Sequence, residues 1–201
     1  MIANNSEPIV KVKNLDVFPQ SFFEFYFPKD MITLLYDEVI KNQDEIKKIS
    51  DKYFFDDHRI AIDYWTDWDD PVKLKTMDKI IYHIGKYFRD MQVKCDRYWT
   101  AIYGPYGVHG THTHGTGLFQ ENTHNFSSVL YLTNIGSTKF HNPSTDNVME
   151  TEWTVNSQIG KMIMFPANIL HSSPPHNIDK TKMIISANFL IRNRTNQLEK
   201  K

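Results

Sequence analysis

From about residue 96 the chain changes period. Short strand-like runs rich in β-branched and aromatic residues occupy 97–103, 127–133, 138–141, 161–165 and 183–191. Turn formers separate them: Gly104-Pro105, Asn134-Ile135-Gly136, Asn142-Pro143 and Pro174-Pro175. Many short strands in succession constrain this half to a β-sandwich or barrel. The half before it reads differently. Over 28–48, Pro28 and Asp30 precede Met31, Ile32, Leu35, Tyr36, Val39 and Ile40, a spacing of three and four that predicts one amphipathic helix of roughly 15 residues. A second helix is expected from Asp70-Pro71, with Leu74, Met77, Ile80, Ile81, Ile84, Tyr87, Phe88 and Met91 on one face. The acidic, aromatic stretch 51–70 between them reads as a loop with anchoring aromatics or a substrate-facing lid. At 201 residues the prior is one α+β, mainly β domain. Residues 1–95 form its helical support, 96–192 its β core and 193–201 a polar tail.

Several function classes are disfavoured by composition. Lys and Arg number 23 against 24 Asp and Glu, which leaves no basic footprint for nucleic acid or an anionic membrane. The apolar run at 22–27 is interrupted by Glu24 and falls far short of the ~20 residues a membrane helix needs. The first twelve residues lack the layout of a signal peptide, so a cytoplasmic protein is expected. The single cysteine, Cys95, excludes an intrachain disulfide and any cysteine-based zinc cluster. A metal would have to be held by His, Asp or Glu.

Histidine is the informative residue. Of nine, six (His109, His112, His114, His124, His141 and His171) fall between 109 and 171. In an extended segment residues two apart project to one face, so His112 and His114 can address one ion while a later strand brings in His171. Three imidazoles suit iron, copper, nickel or zinc and leave positions open, and spacing alone does not name the metal. Glu121 is the nearest spare carboxylate should His114 not be a ligand. His109 and His124 flank the loop.

The order of the motifs goes further. His112-x-His114, then Ser127-Ser128-Val129-Leu130-Tyr131-Leu132, then Thr138-Lys139-Phe140-His141-Asn142-Pro143, then the run from Gly160 through Phe165-Pro166 to His171, then Lys182-Met183-Ile184-Ile185-Ser186-Ala187-Asn188-Phe189, resembles the non-haem Fe(II), 2-oxoglutarate-dependent oxygenases. The nearest likeness is to a small bacterial and phage branch related to prolyl hydroxylases. The resemblance covers about 97–191. It implies a double-stranded β-helix, or jelly roll, with N-terminal helices packed on one sheet. It implies Fe(II), 2-oxoglutarate and O2 as cofactor and cosubstrates, and a peptidyl or small-molecule substrate.

Carried onto this chain, His112 is the first ligand, His171 the distal one, and His114 stands where the family has an acid. With three neutral ligands Fe(II) keeps +2, and the cosubstrate dianion brings the centre to 0. Lys182, with Lys180 as alternative, is the expected anchor of the far carboxylate. Tyr103, Tyr131 and Asn188 are candidates to hydrogen-bond the cosubstrate or a ligand. Two rival readings are a cupin-like three-His dioxygenase with no oxo acid and a jelly-roll binding module with a structural zinc.

Overall fold

The computed structural model describes residues 10–17, 20–53, 59–62, 73–114, 125–142 and 151–193. Its core is a run of eight consecutive strands: β4 (Met91–Tyr103), β5 (His109–His112), β6 (Phe126–Tyr131), β7 (Ser137–His141), β8 (Glu152–Asn156), β9 (Lys161–Pro166), β10 (His171–Ser173) and β11 (Lys182–Asn193). They divide between two antiparallel sheets. One has the order β5-β10-β7-β8; the other contains β9-β6-β11-β4. This is the expected jelly roll.

β11 shows how sequence sets the two faces. Ile184 belongs to the apolar cluster between the sheets, while Met183, Ile185, Ala187, Phe189 and Ile191 belong to a second cluster under the helices. Period two splits the strand, and both faces are covered. The helices are α1 (Lys29–Lys41), α2 (Gln43–Tyr53) and α3 (Lys75–Tyr87). Leu35, Val39, Ile80 and Ile84, all fully buried, pack α1 and α3 on the larger sheet and contribute about 1.5–3 kcal/mol each.

The structure corrects several expectations. The helix predicted over 28–48 breaks at Asn42, whose Nδ2 donates to Glu38 O at 2.7 Å. The side chain competes with the helical ladder there, and the new direction carries Ile46 into the core. Asp70 and Pro71 lie outside the described residues, and α3 begins at Lys75. One first-turn N–H that the helix itself cannot pair is met from α1: Glu38 accepts from Thr76 N at 3.1 Å and from Thr76 Oγ1 at 2.9 Å. Met91 is not helical and opens β4. The N-terminal half also supplies strands. β1 (Lys11–Val17) and β2 (Gln20–Tyr26) extend the larger sheet beside β9, and β3 (Ile60–Ile62) extends it beside β4. β2 sends Phe22 between the sheets and Phe25 under the helices.

Candidate metal centre

β5 is the second and β10 the seventh strand of the core, and they pair with His171 opposite His112. His114 follows the end of β5, tied down by its N–H to Ala167 O at 3.0 Å. His112, His114 and His171 thereby bring one ligand nitrogen each within 4.8 Å of the others. The three rings are oriented by what lies behind them. His112 Nδ1 meets Gly110 O at 2.7 Å, His171 Nδ1 meets Ile169 O at 3.0 Å, and His114 Nδ1 meets Asn188 Oδ1 at 2.9 Å.

All three partners are oxygen acceptors, so each ring carries its hydrogen on Nδ1 and presents a bare Nε2. His112 Nε2 and His114 Nε2 are then 3.1 Å apart with no hydrogen between them. Two lone pairs so placed repel unless an electrophile sits between. Two nitrogens about 2.1 Å from one ion at a right angle are about 3.0 Å apart, so the donor set fits a divalent metal. Acceptors behind ligating imidazoles are the usual support of such a site. Asn188 is itself fixed, accepting from Ser127 Oγ at 2.9 Å.

Electrostatics agree with this tautomer set. Burial, followed by the neighbouring His112 and His114 imidazoles, lowers His171 to about 2. Burial also lowers His112. These two rings stay neutral, as ligands must be. Phe165 and Phe140 pack on His171 at ring separations of 4.8 and 6.1 Å, and Trp99 lies 5.2 Å from His114. The same cavity is lined by Tyr103, Val129, Thr138, Ile184 and Ser186.

Lys182 is buried at the far end of the inner wall. Its Nζ donates to Ser173 Oγ at 2.7 Å and to Ser137 O at 2.5 Å, and lies 5.2 Å from the Tyr103 ring centroid. No carboxylate pairs with it among the described residues. Burial lowers it to about 7. Tyr103 reaches His109 Nδ1 at 3.4 Å, and His109 stacks on His112 at 4.2 Å. Tyr131 is fully buried between the sheets; its hydroxyl has Thr138 as polar neighbour but no partner at hydrogen-bond geometry. Burial raises both phenols.

Lys180 is elsewhere, exposed beside a groove it shares with Lys29 and Ile159. His141 points away from the metal face, toward Ser172 and Glu152. Glu121 and His124 lie outside the described residues, so the described ligand set is all imidazole. Sequence reasoning missed Trp99, Ser127 and Ser173. The signal for Ser173 was its parity with His171, and that for Trp99 its parity with Tyr103.

No protein-family model and no curated protein matches the sequence. Solved structures do resemble the fold. A prolyl-4-hydroxylase from Pseudomonas putida aligns over 92% of this chain and 93% of its own at 16% identity and a TM-score of 0.54. The viral collagen prolyl hydroxylase of Paramecium Bursaria Chlorella virus-1, in its 2OG complex, aligns over 92% and 96% at 13% identity and 0.55. HygX from Streptomyces hygroscopicus, with nickel and 2-oxoglutarate bound, aligns over 85% and 82% at 10% identity and 0.59. The chain has the fold of the Fe(II)/2-oxoglutarate oxygenases. Among the described residues, no helix is long and apolar enough to cross a membrane.

Proposed function

We propose that this chain is an Fe(II)- and 2-oxoglutarate-dependent dioxygenase that hydroxylates a C–H bond of a peptidyl or free amino acid or another small molecule. One observation carries the reading: a neutral three-imidazole face shares its barrel with a buried ammonium, Lys182, that has no carboxylate partner among the described residues. A structural metal site has no use for the second element. The chemistry that bound Fe(II) and 2-oxoglutarate supply is O2 activation, with one oxygen delivered to the substrate and one to succinate as CO2 leaves.

The protein's part is holding and exclusion. His112, His114 and His171 hold the metal, with their orientation set by Gly110 O, Asn188 and Ile169 O. Lys182 takes the far carboxylate as a point charge, with Tyr103 and Ser173 beside it as hydroxyl donors and the unpartnered Tyr131 hydroxyl as a further candidate. A dianion beside Lys182 restores its charged form, so cosubstrate binding takes up protons above pH 7. Trp99, Phe140 and Phe165 keep water from the face. The fold likeness to prolyl hydroxylases supports the amino-acid side chain as substrate.

Anaerobic Fe(II) titration with and without 2-oxoglutarate tests the reading, through the weak visible charge-transfer band of the chelate. Lys182→Met is expected to weaken 2-oxoglutarate about 10- to 150-fold, the equivalent of ~1.5–3 kcal/mol, at unchanged iron affinity. Iron binding with no 2-oxoglutarate binding in the parent protein overturns the oxo-acid reaction in favour of a cupin-like one.

A further inference from the structure

The inner wall of the barrel carries a second charged element that neither metal nor oxo acid uses. On β4, Met91, Val93 and Cys95 pack under the helices, as do Tyr98 and Ile102, whereas Trp99, Ala101 and Tyr103 lie between the sheets. Strict alternation would put one residue between Cys95 and the next helix-side position. Two stand there, Asp96 and Arg97, and both fall on the inner side. The pairing with β11 records the same insertion: Arg97 opposes Asn188 and Cys95 opposes Phe189, which leaves Asp96 as the extra residue of a β-bulge.

The bulge sets a carboxylate beside a guanidinium at the end of the barrel that carries the metal face. Arg97 Nε is 3.1 Å from Asp96 Oδ2, and the two side chains are only 21% and 24% exposed. Asn188, opposite Arg97, is the acceptor behind His114. Trp99, the next inward residue, lies against the His114 ring. Lys182 is six residues from Asn188 along β11, about 20 Å at strand rise, so the two cations stand at opposite ends of the inner wall. The pair is partly shielded by its neighbours yet open enough for a ligand to reach. A zwitterion offers each member an opposite charge at once, and the Arg fork matches a carboxylate.

We propose that Asp96 and Arg97 recognise the α-ammonium and α-carboxylate of a free amino acid and hold its side chain toward the metal face. The inference rests on the reaction proposed above only for what then happens to that side chain. A residue inside a peptide has neither charge and does not fit.

The test is calorimetric titration of the twenty free L-amino acids, one at a time, into metal-free protein and into protein loaded with Mn(II) and 2-oxoglutarate. At least one is expected to bind, about 10- to 150-fold more weakly to Arg97→Gln and with intermediate affinity to Arg97→Lys, which keeps the charge but not the fork. Asp96→Asn is expected to weaken the amino acid and spare its des-amino analogue. All three variants should bind 2-oxoglutarate within about twofold of the parent. The assignment is overturned if no amino acid binds, if the N-acetyl amide binds as well as the free form, or if Arg97→Gln leaves affinity unchanged. A variant that loses 2-oxoglutarate together with the amino acid reports a structural role and also overturns it. Arg97-dependent amino-acid binding in a protein that takes no 2-oxoglutarate sinks the oxygenase reading and leaves this one standing.

Discussion

Position 114 is where this chain departs from the oxygenases it resembles, and the departure is supported by its surroundings. A carboxylate there would face Asn188 Oδ1, an acceptor against an acceptor, whereas the imidazole Nδ1–H meets that oxygen at 2.9 Å. Asn188 is therefore matched to a histidine. It can also adapt, since turning its amide presents Nδ2 and Ser127 Oγ can accept in place of donating. His114→Asp is accordingly expected to keep bound iron, and His171→Ala to lose most of it, because two imidazoles leave the ion without its buried ligand. Metal content after anaerobic loading and desalting measures both. His141→Ala, whose ring engages Ser172 and Glu152 instead, serves as the control that stays near parental content. Full metal retention in His171→Ala would remove the assignment.

Elements are placed by contacts of two kinds, and only one kind is legible in the sequence. β6, β7, β9 and β11 were readable because β-branched and aromatic runs between turn formers act locally. The break at Asn42 and the start of α3 were not, since the latter depends on Glu38, 38 residues away from Thr76. β5 is only His-Gly-Thr-His and has no propensity of its own; pairing with β10 makes it a strand. The ligand trio was legible from parity and motif order, whereas the bulge at Asp96 required the partner strand. Gly160 shows a similar dependence at the turn before β9. Its φ is +81°, and a Cβ would lie 2.9 Å from Phe27 O and 3.3 Å from Ile32 Cγ1. Its N–H and C=O bond Tyr131 O and Phe27 N, which binds β2, β6 and β9 at one point. Gly160→Ala is expected to destabilise the fold by about 1–3 kcal/mol, read as a lower urea midpoint at constant slope; an unchanged midpoint would contradict the strain.

For the whole molecule, a metal held by the three imidazoles would link the two sheets. His112 and His171 belong to the smaller sheet, and His114 leans on Asn188 and Ser127 of the larger one. Metal at about 100 times its Kd adds about 2.7 kcal/mol, which for a chain of this size is a rise of about 5–10 °C in Tm. Its pH dependence follows from the imidazoles. Burial pushes folded His171 down to about 2 and His109 down to about 4, and it also lowers His112, against 6.5 in the unfolded chain. Below pH 6.5 the unfolded state therefore binds more protons, so stability of the metal-free protein is full above 6.5 and declines as pH falls below it. Protons compete poorly for rings that are already neutral in the native state. The metal-induced rise in Tm is thus expected to be nearly the same at pH 6.0 as at pH 7.5, although both baselines fall. Differential scanning fluorimetry with and without Mn(II) at the two pH values decides it: a rise that largely disappears at pH 6.0 would mean that the ligands titrate as ordinary exposed histidines and that the buried, preset face described above is wrong.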